Sequence, residues 1–226
     1  MTVDPARSRP SERKPLPTTY RCLRGVAAVF VATVVGALGT IVPAHAVTTA
    51  SVPPGLRRAT IDDIRARASG DASTAGVFWY YLRNVQTQQY LTVRGAQAAN
   101  GIPIIQSPWL VEGTRQEQAW RFDVNSAGFW TIRSGNTNDQ KAITIKDKST
   151  ANGGAVVQRA YAGQDNQEFI LHDYNDTTFD FENVHSLRCL AIPGGRPAAG
   201  LAVIQWDCPD SQHPRMEQRW ELYYWP

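Results

Sequence analysis

Three segments of this chain repeat one pattern at fixed spacing, and that repeat limits the fold more than any other feature. Gly101-Ile-Pro-Ile-Ile-Gln106, Gly153-Gly-Ala-Val-Val-Gln158 and Gly200-Leu-Ala-Val-Ile-Gln205 each run Gly-x-x, two β-branched residues, Gln. Upstream stand strand-like runs beginning at Tyr90, Ala142 and Cys189. From each of these the repeat Gly follows after 11 residues, and Trp109, Tyr161 and Cys208 follow after 19. Downstream of each comes Gln-x-aromatic: Gln118-Ala-Trp120, Gln167-Glu-Phe169 and Gln218-Arg-Trp220. Two offsets held constant in three copies mark one supersecondary unit used three times.

The runs within each copy are short, rich in Val, Ile, Tyr and Trp, and separated by Gly, Asn, Asp and Pro turns. No helical period is sustained after residue 77. Three copies of about four strands predict a closed all-β body, because closure removes the exposed edges of a sheet. The register also pairs positions. Cys189 and Cys208 occupy the places held by Tyr90 and Trp109 in the first copy and by Ala142 and Tyr161 in the second. The matched residues are expected to touch, with aromatic contacts standing where the third copy has a bridge.

This motif set resembles the ricin B-chain type β-trefoil lectins over residues 77–226. The third copy carries it most fully: Cys189-Leu190, Gly200, Val203-Ile204-Gln205-Trp206-Asp207-Cys208 and Gln218-Arg219-Trp220. The resemblance implies a β-trefoil with repeats at about 77–124, 125–174 and 175–226. It places Trp120, Phe169 and Trp220 in the pseudo-threefold core as packing residues. It also implies sugar sites made of an acid after the first Cys-Leu, an aromatic before the second Cys, and an Asn-Gln pair opening Gln-x-Trp. The acid positions hold Thr92, Thr144 and Ala191. The aromatic positions hold Ser107, Arg159 and Trp206. The pairs are Glu117-Gln118, Asn166-Gln167 and Glu217-Gln218. The third repeat keeps the ring, with Asp207, Glu217 and Gln218 as polar candidates; the second keeps Asn166 and Gln167; the first is the most eroded.

The N-terminal part reads differently. Residues 1–46 hold six Lys/Arg and two acids, leaving 17 basic and 18 acidic residues in 47–226. The folded part therefore lacks the basic excess of a nucleic-acid binder. Gly25–Val42 is uncharged and is followed by Pro43-Ala44-His45-Ala46, so residues 1–46 read as a signal peptide cleaved after Ala46. Export then leaves no membrane segment in the mature chain. It also puts Cys189 and Cys208 in an oxidising compartment, where one bridge is expected. Residues 47–76 contain Pro53-Pro54-Gly55 and no aromatic residue, and read as a flexible linker. Within it, Thr60 followed by Asp62 and Asp63 could start a short helix.

Catalytic signatures are missing. His172, His185 and His213 have no frame joining them to a nucleophile and an acid. The chain has no Gly-x-Ser-x-Gly, no His-Glu-x-x-His and no phosphate loop. No cofactor or metal is expected. The sequence thus predicts a secreted, extracellular, non-enzymatic β-trefoil that recognises carbohydrate. Its rival is a protein-binding trefoil, either a hydrolase inhibitor or a non-catalytic subunit of a secreted toxin complex.

Overall fold

The computed structural model describes residues 51–68, 78–111, 115–175, 177–210 and 214–226. The expected signal peptide lies outside them, as do residues 47–50 and 69–76 of the expected linker, residue 77 and His213.

Each repeat contributes four strands. They are β2 (Tyr80–Asn84), β3 (Tyr90–Val93), β4 (Ile102–Ser107) and β5 (Trp120–Val124); β6 (Trp130–Ser134), β7 (Lys141–Ile145), β8 (Val156–Ala160) and β9 (Phe169–Asp173); and β10 (Thr178–Asn183), β11 (Arg188–Ala191), β12 (Ile204–Asp207) and β13 (Trp220–Tyr224). A strand preceding them, β1 (Arg57–Arg58), leads into the helix α1 (Ile61–Ala68). The first and last strands of each repeat form a closed antiparallel ring, β2-β5-β6-β9-β10-β13 and back to β2. Within each repeat the ring closes at the Gln-x-aromatic residue: Trp120 lies opposite Tyr80, Phe169 opposite Trp130, and Trp220 opposite Phe179. The middle strands form three hairpins, β3–β4, β7–β8 and β11–β12. These meet through β4–β8 pairing and the bridges Ile105–Ala202 and Ala155–Ile204. The result is a six-stranded barrel with three hairpins: the closed all-β body that the repeat predicted, in the β-trefoil form that the resemblance implied.

The repeat residues have defined jobs. Trp120, Phe169 and Trp220 are fully buried in one core. The two indoles donate to the equivalent carbonyls of Leu91 and Leu190, at 3.1 and 3.4 Å. Gly101, Gly153 and Gly200 have φ of +81°, +81° and +80°, a conformation that other residues adopt only with strain. The Gln that ends each segment is buried and fastens its repeat to another. Gln106 donates to the carbonyls of Arg196 and Ala198, Gln158 to those of Gln97 and Ala99, and Gln205 to those of Ser149 and Ala151. Each amide satisfies loop carbonyls that lie outside the strand ladders.

The expectation of a flexible linker is corrected for residues 51–68. Arg57 and Arg58 pair with Tyr224 and Tyr223, and Ala59 N–H donates to the Leu222 carbonyl at 2.7 Å. The expected Thr60 cap forms: its hydroxyl accepts from Asp63 N–H at 3.1 Å, and the Asp63 carboxylate accepts from Thr60 N–H at 2.9 Å. Ala59, Ile61 and Ile64 are buried in the barrel core. A helix this short is marginal alone; burying Ile61 and Ile64, three apart on one face, fixes it. Arg58 pairs with Glu221, and the Arg67 guanidinium lies 3.8 Å from the centroid of the Tyr224 ring.

Candidate functional site

Strands β11 and β12 place Trp206 beside Cys189 and set Ile204 beside Ala191. The Cys189–Cys208 bridge, with a Cα–Cα distance of 4.9 Å, ties the two strands where they diverge. In the first repeat the matched Tyr90 and Trp109 rings meet at 5.0 Å, edge to face. In the second, the ring of Tyr161 is covered by the Arg133 guanidinium at 3.6 Å.

Trp206 is 37% exposed, whereas Trp120 and Trp220 are fully buried. Its ring borders a cleft of about 310 Å³ with a floor of Ala191, Ile192, Pro193, Gly194 and Ile204, and with Arg215 and Glu217 at the rim. The Ile192 N–H donates to the Glu217 carbonyl at 3.0 Å, which holds the 3₁₀ turn Met216–Gln218 against β11. The Arg215 and Glu217 side chains stand 4.0 Å apart. An aromatic face, a small apolar floor and a charged rim can stack a sugar ring and hydrogen-bond its hydroxyls.

Trp206 and Glu217 are thus brought together. Asp207 and Gln218 do not line this cleft. The Asp207 carboxylate is taken by Arg188 and by Asn152, the latter at 2.7 Å, because alternate residues of a strand face opposite ways. Gln218 is fully buried and donates to the Asp207 carbonyl at 2.8 Å. Its equivalents have the same structural job. Gln118 donates to Thr92 Oγ1 at 3.1 Å and accepts from Leu110 N–H; Gln167 donates to Thr144 Oγ1 at 2.9 Å and accepts from Ala162 N–H. In the third repeat Ala191 has no hydroxyl to accept, and Pro209, at the place of Leu110 and Ala162, has no N–H to give. Gln218 Oε1 is accordingly left buried without a partner.

Asn166 and Gln167 lie together in a second, polar cleft of about 260 Å³ with Asn100, Thr144, Arg159 and Gln164. Asn166 Nδ2 donates to the Ile145 carbonyl at 2.8 Å, while its Oδ1 is buried without a partner. Where an aromatic would stand, the Arg159 guanidinium lies 3.9 Å from Asp147. In the first repeat Thr92 is buried and its hydroxyl is spent on Gln118 and on the Tyr90 carbonyl. Arg215 was not among the residues singled out from the sequence. The repeat register would have found it, since Arg115, Gln164 and Arg215 each stand three residues before the Gln of Gln-x-aromatic.

Comparison with known proteins agrees with this architecture. A family model described as "Ricin-type beta-trefoil lectin domain-like" matches residues 71–159 and, overlapping them, 116–206. The chain belongs to that family. The designed threefold-symmetric protein ThreeFoil is similar at 26% identity and a TM-score of 0.57, over 64% of this chain and 96% of its own. An exo-β-1,3-galactanase from Clostridium thermocellum matches at 23% identity and a TM-score of 0.58, over 66% of this chain but 31% of the galactanase. The C-half of an earthworm R-type lectin, solved in complex with GalNAc, matches at 17% identity and a TM-score of 0.50, over 65% of this chain and 98% of its own. The last two establish likeness of fold alone. No curated protein sequence matches the chain.

Proposed function

We propose that this protein is a secreted, non-catalytic, lectin-like β-trefoil that binds extracellular carbohydrate at its third repeat. The observation that carries the proposal is the Trp206 cleft, where a half-exposed indole faces an apolar floor beside Glu217 and Arg215. Family membership supports it, as does the GalNAc-bound state of the similar earthworm lectin. The galactanase carries its match on a third of its length, consistent with a binding role for this fold beside a separate catalytic part.

The test is a titration of the purified chain with galactosides, xylo-oligosaccharides and glucans, followed by Trp fluorescence, for the wild type and Trp206→Ala. One shallow site should bind with a dissociation constant on the order of 1 mM, about 4 kcal/mol. Equal binding by Trp206→Ala would displace the site. The rival reading, a protein-binding trefoil, is favoured by Thr92, Thr144 and Arg159, whose polar groups are engaged within the protein at two of the three sugar positions. Failure of every glycan at tens of millimolar would support it.

A further inference from the structure

A second feature of the third repeat lies on another face of its hairpin strands, and register defines it. Arg83 stands opposite Tyr90, Arg133 opposite Ala142, and Glu182 opposite Cys189. Two residues earlier on each strand, Tyr81 opposes Tyr223, Thr131 opposes Asp123, and Asp180 opposes His172. In the first repeat the Trp109 ring fills this space, 4.9 Å from Tyr81 and 5.0 Å from Tyr90, and Arg83 lies 3.5 Å from Glu221. In the second, the Tyr161 ring lies against Arg133, whose Nε reaches Asp123 at 3.1 Å. Both repeats therefore seat an aromatic ring and a paired guanidinium here. The third differs at both positions: the disulfide stands in the place of that ring and Glu182 in that of the arginine.

What remains is a cleft of about 310 Å³, lined by His172, Tyr174, Asp180, Glu182 and the Cys189–Cys208 bridge. Asp180 is 1% exposed, and neither of its carboxylate oxygens makes a well-formed hydrogen bond, although the neighbouring Tyr174 hydroxyl acts on it. Such a group is costly to keep, because burial disfavours its charge. The Arg219 guanidinium, which also acts on Asp180, lies over the Tyr174 ring at 4.0 Å. Glu182 is bonded to His172 Nε2 at 2.6 Å.

We infer that this cleft binds a guanidinium group carried by a ligand, an arginine side chain or a small alkylguanidine, with Asp180 and Glu182 as its acceptors. The ligand would restore the cation that the other two repeats supply themselves. A planar fork of donors matches two carboxylates better than a compact ammonium does. Among the described residues no three His, Cys, Asp or Glu side chains converge as metal ligands, which argues for an organic cation. Burial holds the Asp180 carboxyl up at about 6; the Tyr174 hydroxyl, Arg219 and His172 draw it down, and Glu217 pushes it further up. A bound cation favours the ionised form, so binding strengthens as pH rises through that value.

The site does not depend on the sugar reading, and its test is separate. The purified chain is titrated at pH 7.5 with N-acetyl-arginine amide, followed by NMR shifts of the Asp180 and Glu182 amides. N-acetyl-citrulline amide supplies the neutral isostere and N-acetyl-lysine amide the compact cation. Saturable binding of the arginine compound is expected, about tenfold or more tighter than that of either control. It should weaken by about tenfold at pH 5, vanish in Asp180→Asn, and persist in Trp206→Ala. No binding at tens of millimolar, equal binding by citrulline or lysine, or full binding by Asp180→Asn would overturn the inference.

Discussion

Thr144 Oγ1 accepts a hydrogen bond from Gln167 Nε2 at 2.9 Å and donates its own proton to the Ala142 carbonyl at 3.0 Å. With Ala160 O as its other acceptor, the Gln167 amide has both donors engaged inside the protein. A position where the lectins carry a sugar-binding acid has become part of the frame. Thr144→Val should cost about 1–2 kcal/mol, the usual effect of orphaning one buried donor, and should leave glycan affinity unchanged. Urea denaturation and the fluorescence titration measure the two effects.

Asp180 gives a stability prediction of opposite sign. Its folded-state value of about 6 lies above the ordinary carboxylate value. The folded protein therefore holds a proton that the unfolded chain releases between about pH 4 and 6, and stability falls across that window as pH rises. Asp180→Asn abolishes the loss. At pH 8 it should exceed the wild type by on the order of 2 kcal/mol, and near pH 4 the two should converge. A variant less stable than wild type at pH 8 would show that the ionised carboxylate is stabilised in the fold.

The docked arm makes a third prediction. Ile64 on α1 is fully buried in the barrel core. Ile64→Ala should cost about 2–5 kcal/mol, whereas a freely moving linker would tolerate it. Thermal or urea melts of the variant decide the matter.

The barrel was legible because threefold repetition turns weak local signals into strong ones. A single Gly-x-x-Val-Val-Gln run is ambiguous, but three in register mark Trp120, Phe169 and Trp220 as equivalent positions, and the lectin resemblance puts them in the core. The arm was not legible for the same reason. Residues 51–68 occur once, and only Ile61 and Ile64 announce a buried face, so nothing in the local pattern says that a barrel end lies waiting. At the site, Trp206 and Glu217 could be placed from their positions in the repeat. Asp207 could not, because its partners Arg188 and Asn152 come from another strand and another repeat. The Asp180 cleft depends on which side chain stands across the sheet, and cross-strand neighbours are visible only once the ring of strands is closed.

The disulfide should matter to the Trp206 cleft as well as to the fold. Cys189 stands opposite Trp206 in the ladder, and its bridge closes a 19-residue separation. Replacing both cysteines by Ala should cost about 3 kcal/mol in the chain-entropy account. The barrel core persists, so folding at room temperature should survive. Glycan affinity should fall by a few-fold as β11 and β12 loosen at that end. Denaturation midpoints and the same glycan titration read these out, and an unchanged affinity would show that the cleft is held by the ladder alone.

The last prediction uses the place where the third repeat lacks an acid. Ala191 lies on the floor of the Trp206 cleft. At the equivalent positions the hydroxyls of Thr92 and Thr144 accept from Gln118 and Gln167, whereas Gln218 donates to the Asp207 carbonyl and Ala191 offers it no hydroxyl. Ala191→Asp would put a carboxylate on that floor, within reach of the Gln218 amide and facing the space beside the indole. One oxygen can then be held by Gln218 while the other accepts from a sugar hydroxyl stacked on Trp206. Charge-assisted hydrogen bonds are worth about 1.5–3 kcal/mol, so affinity for the best glycan should rise about tenfold or more. The gain should disappear in the double variant with Trp206→Ala, because ring and acid act on the same bound sugar. If Ala191→Asp folds normally and binds no better, the sugar does not sit over this floor, and the Trp206 cleft is then a surface for some other partner.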